Sequence, residues 1–296
     1  MFSNASPRQL GVMAAIASPV LWGIAPIFFH FLMAYALDEV LAHRAIWAAV
    51  FIVGLLVLSG DGRKLFTTIK TKGQLAGLFL GACLVTTNWT AFLYAVGKEQ
   101  IIESAFGYFI YPLIAIALGL VLFGEKLDRR GWLALSTATI GMLIKATQLD
   151  NVPYIALLIG ASFAVYAVVR KRINIDAFTG MAIELLMIAP FMLGYLLYVT
   201  LILRAGSASF FLDGSSYGII MALASGVVTS VPLVLFHMGN RFLALSLTGF
   251  LFYINPSLQL LVGVFMFHEP FGWVDLLAFG FIWAALLFQF ARLPKR

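Results

Sequence analysis

The sequence predicts an all-α integral membrane protein, with ten transmembrane helices in two inverted five-helix repeats. Three observations carry this prediction. The first is composition: 62% of the 296 residues are apolar and only 11% are charged, against about 25% charged in a soluble domain. A water-soluble core cannot hide that much apolar side chain, so the solvent must be lipid. The second is a stretch that occurs twice. Phe106 to Glu125 reads FGYFIYPLIAIALGLVLFGE, and Phe250 to Glu269 reads FLFYINPSLQLLVGVFMFHE. Pro112 aligns with Pro256, Gly119 with Gly263, Phe123 with Phe267 and Glu125 with Glu269, always 144 residues apart. The same offset puts Ser18 on Ser162 and Trp22 on Tyr166. A constant offset over most of a half-chain marks an internal repeat, dividing the chain into 1–150 and 151–296. The third is the distribution of basic residues, which gives the two halves opposite orientations.

Taken in order, the apolar segments cover 10–30, 38–58, 74–97, 102–123, 131–147, 152–169, 178–203, 215–238, 245–267 and 273–291. Each is near the roughly 20 residues that a spanning helix needs, the fifth and sixth being shortest. The first follows Arg8 and has no clear small-residue cleavage site after it, so it reads as a retained span and not a signal peptide. The third is rich in glycine and alanine, with Gly73, Gly77 and Gly81 among them, which suits close helix packing. The fourth and ninth carry the repeated motif. Between the fifth and sixth, the Gln148–Pro153 turn is the midpoint where the repeat restarts. The connections are short and polar, with no room for a soluble domain. The single cysteine, Cys83, excludes an intramolecular disulfide.

If the N-terminus is cytoplasmic, 15 of the 19 basic residues lie inside: Arg8, Arg63, Lys64, Lys70, Lys72, Lys126, Arg129, Arg130, Arg170, Lys171, Arg172, Arg241, Arg292, Lys295 and Arg296. Only Lys98, Lys145 and Arg204 lie outside, and Arg44 falls within a span. This bias places both termini in the cytoplasm. Five spans per half then require an upside-down second half. The flanks agree: KLDRR follows the first motif copy and PFGW, with no basic residue, follows the second. The net charge of +6 is spread between apolar runs, so it reads as a topology signal and not as a nucleic-acid surface.

Candidate functional residues lie at the motif and at the buried polar positions. Pro112 and Pro256 cannot donate to the carbonyls of Tyr108 and Phe252, so both are expected helix breaks, which in a bilayer face protein or a water-filled cavity. The alternative is a packing kink. Tyr108, Tyr111, Tyr253 and Asn255 surround the prolines. Asn88, Trp89, Trp22 and Tyr166 join them as a pathway for a partly apolar small-molecule solute, with ordinary helix packing as the alternative. His43 and Arg44 in the second span and Glu184 in the seventh are intramembrane polar or charged groups, functional candidates by default. Arg44 is expected to reach Glu103, and Glu184 to reach Arg241 or His237, as gating or coupling pairs or as packing pairs. Glu125 and Glu269, at helix ends, read as structural. The chain carries no P-loop, no HExxH and no clustered ligands, so no metal, cofactor or catalytic constellation is expected.

These residues resemble the EamA-type members of the drug/metabolite transporter superfamily, and within them the RarD branch. The similarity rests on LWGIAP at 21–26, DEVLAHR at 38–44, NWTAFLYAV at 88–96, ESAFGYFIYPL at 103–113, GEKLDRRGWLA at 124–134, TGMAIE at 179–184 and TGFLFYINP at 248–256, and it covers nearly the whole chain. The family commonly has asparagine before the first motif proline, where this chain has Tyr111. The resemblance implies the drug/metabolite transporter fold, a bacterial inner-membrane location, and a secondary transporter that exports or exchanges a small metabolite, amino acids and drug-like solutes being the usual proposals. It implies a pathway along helices one, three, four, six, eight and nine. A proton or counter-substrate could supply the coupling. The rival readings are a membrane-embedded sensor or assembly subunit without transport, and a membrane enzyme.

Overall fold

The computed structural model describes residues 6–147, 152–203 and 215–290. Among them the regular structure is helical: α1 Pro7–His30, α2 Leu37–Leu58, α3 Lys64–Thr67, α4 Lys72–Gly97, α5 Ile101–Phe123, α6 Arg129–Ala146, α7 Tyr154–Ile173, α8 Ala177–Tyr198, α9 Ser216–Phe242, α10 Leu245–Phe252, α11 Ile254–Met266 and α12 Trp273–Phe290. A π-helical turn, Val199–Leu203, extends α8. The ten expected segments fall on α1, α2, α4 to α9, the pair α10–α11, and α12. Nine of these are long and apolar enough to cross a membrane among the described residues. The tenth, α6, carries Arg129, Arg130 and Lys145 within 18 residues. The expected midpoint turn falls largely outside the described residues, as do Arg204, Arg292, Lys295 and Arg296.

The starts of these helices are set by short polar side chains. Ser6 and Gln9 form a reciprocal cap on α1. Asp128 accepts from the Gly131 N–H at 2.8 Å and Asp176 from the Thr179 N–H at 2.9 Å, each satisfying a donor that the first helical turn leaves free. The outward faces are apolar, with Phe191 73%, Phe265 72% and Trp273 70% exposed. In water such a surface would aggregate; against acyl chains it is matched.

Inside the bundle, α1 packs on α9 and α11, α2 on α8 and α9, α4 on α7, and α5 on α7, α10 and α11. Helices α6 and α12 pack on each other. The main buried cluster joins Phe29, Trp89, Phe92, Tyr111, Phe163, Phe236 and Phe252. A second gathers Phe109, Phe250, Tyr253 and Phe279. Helices α5 and α7 approach closely at two glycines: a Cβ on Gly160 would stand 2.8 Å from the Gly107 carbonyl oxygen. Small residues at such crossings let backbones meet without side chains between them.

The 144-residue offset reappears in the contacts. Neither α5 nor α10 has a side-chain cap of its own. Instead Glu269 accepts from the N–H groups of Ile101 and Ile102 at 2.7 and 2.8 Å. Glu125 accepts from those of Leu245 and Ser246 at 2.7 and 2.8 Å. Each motif glutamate therefore caps the motif helix of the other half. Each also sits in the same local turn. The N–H of Glu125 donates to Gly119 and that of Glu269 to Gly263, and the preceding residues, Gly124 and His268, both have positive φ, 63° and 53°. Glycine adopts that conformation freely and histidine does so at a cost. The structural role read for both glutamates thus has a specific form.

Two expectations need correction. Pro112 does not break its helix, because α5 runs unbroken from Ile101 to Phe123; one lost hydrogen bond is absorbed by a helix packed on five others. The second copy is interrupted, at Tyr253, three residues before Pro256. The expected loop at 170–177 shrinks to 174–176, since α7 continues to Ile173 and α8 begins at Ala177. Within this extension Arg170 is buried among polar partners, 4% exposed, and does not sit in a polar connection.

Candidate functional site: a central aromatic cavity and a buried polar chain

Helices α1, α2, α4, α5, α7 and α11 converge on a small cavity of about 20 Å³, room for little more than a water molecule. Its walls are Trp22, Phe29, Trp89, Phe92, Tyr108 and Phe163, and its polar groups are Arg44, Asn88 and Gln259. The site is held in place by hydrogen bonds between helices. Asn88 donates to the Ile159 carbonyl at 2.9 Å, and the Tyr108 hydroxyl donates to Asn88 Oδ1 at 3.2 Å. Gln259 donates to Asn255 Oδ1 at 2.8 Å and accepts from the Ser104 hydroxyl at 3.3 Å. Trp22 lies edge-on to Phe163, with ring centroids 5.4 Å apart.

Arg44 is the charged group of this cavity. It is 2% exposed. Its Nε donates to Thr229 Oγ1 at 3.2 Å, and its guanidinium carbon lies 4.4 Å from the Phe29 ring centre and 4.6 Å from that of Trp89. Its Nη1 is buried without a hydrogen-bond partner. The expected pairing with Glu103 is not formed. Glu103 lies in the first turn of α5, while Arg44 turns inward onto the aromatic faces. His43, its neighbour, instead accepts from Trp47 Nε1 at 3.3 Å through Nδ1.

A second polar group links α7, α8 and α9. Glu184 Oε1 lies 3.5 Å from Arg170 Nε, and its Oε2 accepts from the Tyr166 hydroxyl at 2.8 Å. The Tyr166 oxygen lies 2.7 Å from His237 Nε2, so with its proton directed to Glu184 the histidine donates. The expected partners of Glu184 are corrected accordingly: its cation is Arg170, and it meets His237 only through Tyr166. Arg241 is exposed and stacks on Phe242. Gly81 and Gly180 make the room, the first under the Glu184 carboxylate and the second under the Arg170 guanidinium. A Cβ at either would collide with the charged group. A cavity of about 50 Å³ beside this chain is lined by Arg170, Lys171, His237, Asn240 and Arg241.

Of the pathway residues expected from sequence, Trp22, Asn88, Trp89 and Tyr108 meet at the central cavity. Tyr166 belongs to the charged chain. Asn255 is one hydrogen bond behind the cavity. Tyr111 and Tyr253 are fully buried with unpartnered hydroxyls, the first against Phe163 and Phe252 and the second in the α5–α12 cluster. Sequence reading missed Phe29, Phe92, Phe163, Thr229 and Gln259. Gln259, a polar residue in an apolar run four positions after Asn255, is the one with a visible signal. Beyond the end of α11, burial raises the Glu269 carboxyl above its usual range, against two backbone N–H bonds that favour its charged form.

The first half matches the model of the EamA-like transporter family over residues 9–147. The chain is 37% identical over 284 residues to Protein RarD of Salmonella typhi, covering 96% of this chain and 95% of that one. It is 36% identical over 286 residues to the uncharacterized transporter YojE of Bacillus subtilis, covering 95% and 94%. A solved crystal structure aligns with a TM-score of 0.69 at 15% identity, over 97% of this chain and 100% of the other, a likeness of fold alone. With its many apolar helices and full-length relatives, this chain is a multi-pass membrane protein and belongs to the RarD branch of the EamA-like transporter family.

Proposed function

We propose that this protein is a secondary transporter of a small metabolite in the bacterial inner membrane, acting by alternating access as an exporter or exchanger. Two inverted halves, 1–150 and 151–296, rock about the central cavity, with both termini in the cytoplasm. The observation that carries this reading is the cavity itself. Both halves line it: Trp22, Arg44, Asn88 and Tyr108 from the first, Phe163 and Gln259 from the second. At about 20 Å³ it is contracted, so a solute enters only when the halves move apart. The reciprocal caps of Glu125 and Glu269 support the inversion, since each ties the motif helix of one half to that of the other. The Arg170–Glu184–Tyr166–His237 chain offers a place where a proton or counter-substrate couples to the movement.

Liposomes containing only this protein test the reading. Saturable flux of amino acids or drug-like solutes is expected. Tyr108→Phe breaks the bond that orients Asn88 and should slow that flux about tenfold at equal protein level. Solute binding with no flux in any direction would leave a sensor. Chemical change of the solute would leave an enzyme.

A further inference from the structure

We infer that the central cavity is an anion site: Arg44 is the group that recognises the carboxylate of a solute whose apolar body lies on the aromatic walls. This rests on the transport reading for the solute's role and deepens it by naming its chemical class.

Three observations carry it. Arg44 is 2% exposed and lies in the wall of a cavity formed by both halves. No carboxylate of the described residues pairs with it: the buried and half-buried ion pairs are those of Arg170 with Glu184, Lys145 with Asp275 and Lys171 with Glu125. Its partners are one neutral hydroxyl, Thr229, and the faces of Phe29 and Trp89. Ring faces attract a cation but cannot accept from its N–H groups in the plane of the guanidinium. A cation buried without a counter-charge is strongly disfavoured, and guanidinium cannot shed its proton to escape. The missing partner is therefore an acceptor bearing negative charge, and Nη1 is the unsatisfied donor. A planar carboxylate matches a guanidinium edge.

The rest of the cavity describes the remainder of the ligand. Trp22, Trp89, Phe92 and Phe163 leave only apolar and ring surface for it. Asn88 already donates to the Ile159 carbonyl of α7, and Gln259 donates to Asn255 on its own helix and accepts from Ser104 on α5, so they favour a body with few polar groups. The Thr229 bond fixes the plane of the guanidinium and makes Thr229 a positioning residue. The site thus suits a monocarboxylate with an apolar or aromatic body and discriminates against its neutral amide.

The test is ligand binding to the full-length protein in lipid nanodiscs, read by tryptophan fluorescence, since Trp22 and Trp89 line the cavity. The probes are benzoate, phenylacetate and 4-methylvalerate, each against its own amide. At least one acid should bind about tenfold or more tighter than its amide. Arg44→Gln should erase that preference, Arg44→Lys should retain part of it, and Thr229→Val should weaken acid binding alone. Lys72→Gln, on the exposed start of α4, should change nothing. Should Arg44→Gln not fold, the Arg44→Lys and Thr229→Val results decide. Equal binding of acids and amides, no binding of any acid, or an acid preference untouched by Arg44→Lys and Thr229→Val would each overturn the proposal. The two readings fail separately. Flux of neutral solutes at the wild-type rate in Arg44→Gln leaves a carrier without an anion site. Arg44-dependent acid binding without flux leaves the site without a carrier.

Discussion

Arg170→Leu is expected to destabilise the protein by about 3–5 kcal/mol, and Arg170→Leu combined with Glu184→Leu by much less. The reason lies in what each variant leaves behind. Arg170 and Glu184 are both almost fully buried, 2% exposed at their side chains. Removing the arginine strands a carboxylate, one oxygen of which already has no hydrogen-bond partner. Removing both charges strands nothing ionised and leaves apolar side chains among α4, α7 and α8. Tyr166→Phe is a milder version, taking one donor from Glu184 and costing about 1–3 kcal/mol. Thermal or denaturant unfolding in one fixed detergent measures all three. A double variant as unstable as Arg170→Leu alone would mean that the cost is lost packing and that the ion pair contributes nothing.

Glu125→Ala and Glu269→Ala should each cost roughly 3 kcal/mol, and the two together roughly twice that. Each glutamate satisfies two backbone N–H groups at the start of a helix that has no other side-chain cap, and hydrogen bonds to a charged group contribute about 1.5–3 kcal/mol each. Partial access to water places the total near the lower end, since the Glu125 side chain is 12% exposed. The two sites lie at opposite ends of α5, a helix of 23 residues and so about 35 Å long. They share no partner, so their effects should add within about 0.5 kcal/mol. Glutamine at either site keeps a neutral acceptor and should cost about half as much as alanine. The same unfolding measurement checks this. A cost at one site and none at the other would contradict the equivalence of the two copies.

Much of this molecule can be read from its sequence, and what cannot is specific. The helix positions follow from apolar run length, and the equivalence of Glu125 and Glu269 follows from the 144-residue offset. Their reciprocal capping does not, because it depends on which helix ends the bundle brings together. Arg170 is the clearest miss. In the sequence it begins the string Arg170, Lys171 and Arg172, which reads as a solvated loop. In the structure the helix continues and turns the first of the three inward to Glu184. The Arg44–Glu103 pairing failed for a related reason. Sequence supplies an opposite charge at a plausible depth, but the direction of a side chain around its helix is set by packing, and Arg44 faces Phe29 and Trp89. Pro112 shows the limit of a rule about single residues: a helix supported by α7, α10 and α11 runs through a proline that would interrupt a less supported one.

The proposed inversion of the two halves is tested most directly by one pair of cysteines. Lys126 and Pro270 are equivalent positions, 144 residues apart, each exposed just after a copy of the motif. In a Cys83→Ser background, Lys126→Cys and Pro270→Cys are labelled in intact cells with a membrane-impermeant maleimide, before and after permeabilisation. Pro270→Cys should react in intact cells and Lys126→Cys only once the membrane is opened. If both cysteines reacted from the same side, the halves would be parallel, and a pathway built from two inverted repeats around the Arg44 cavity would be wrong.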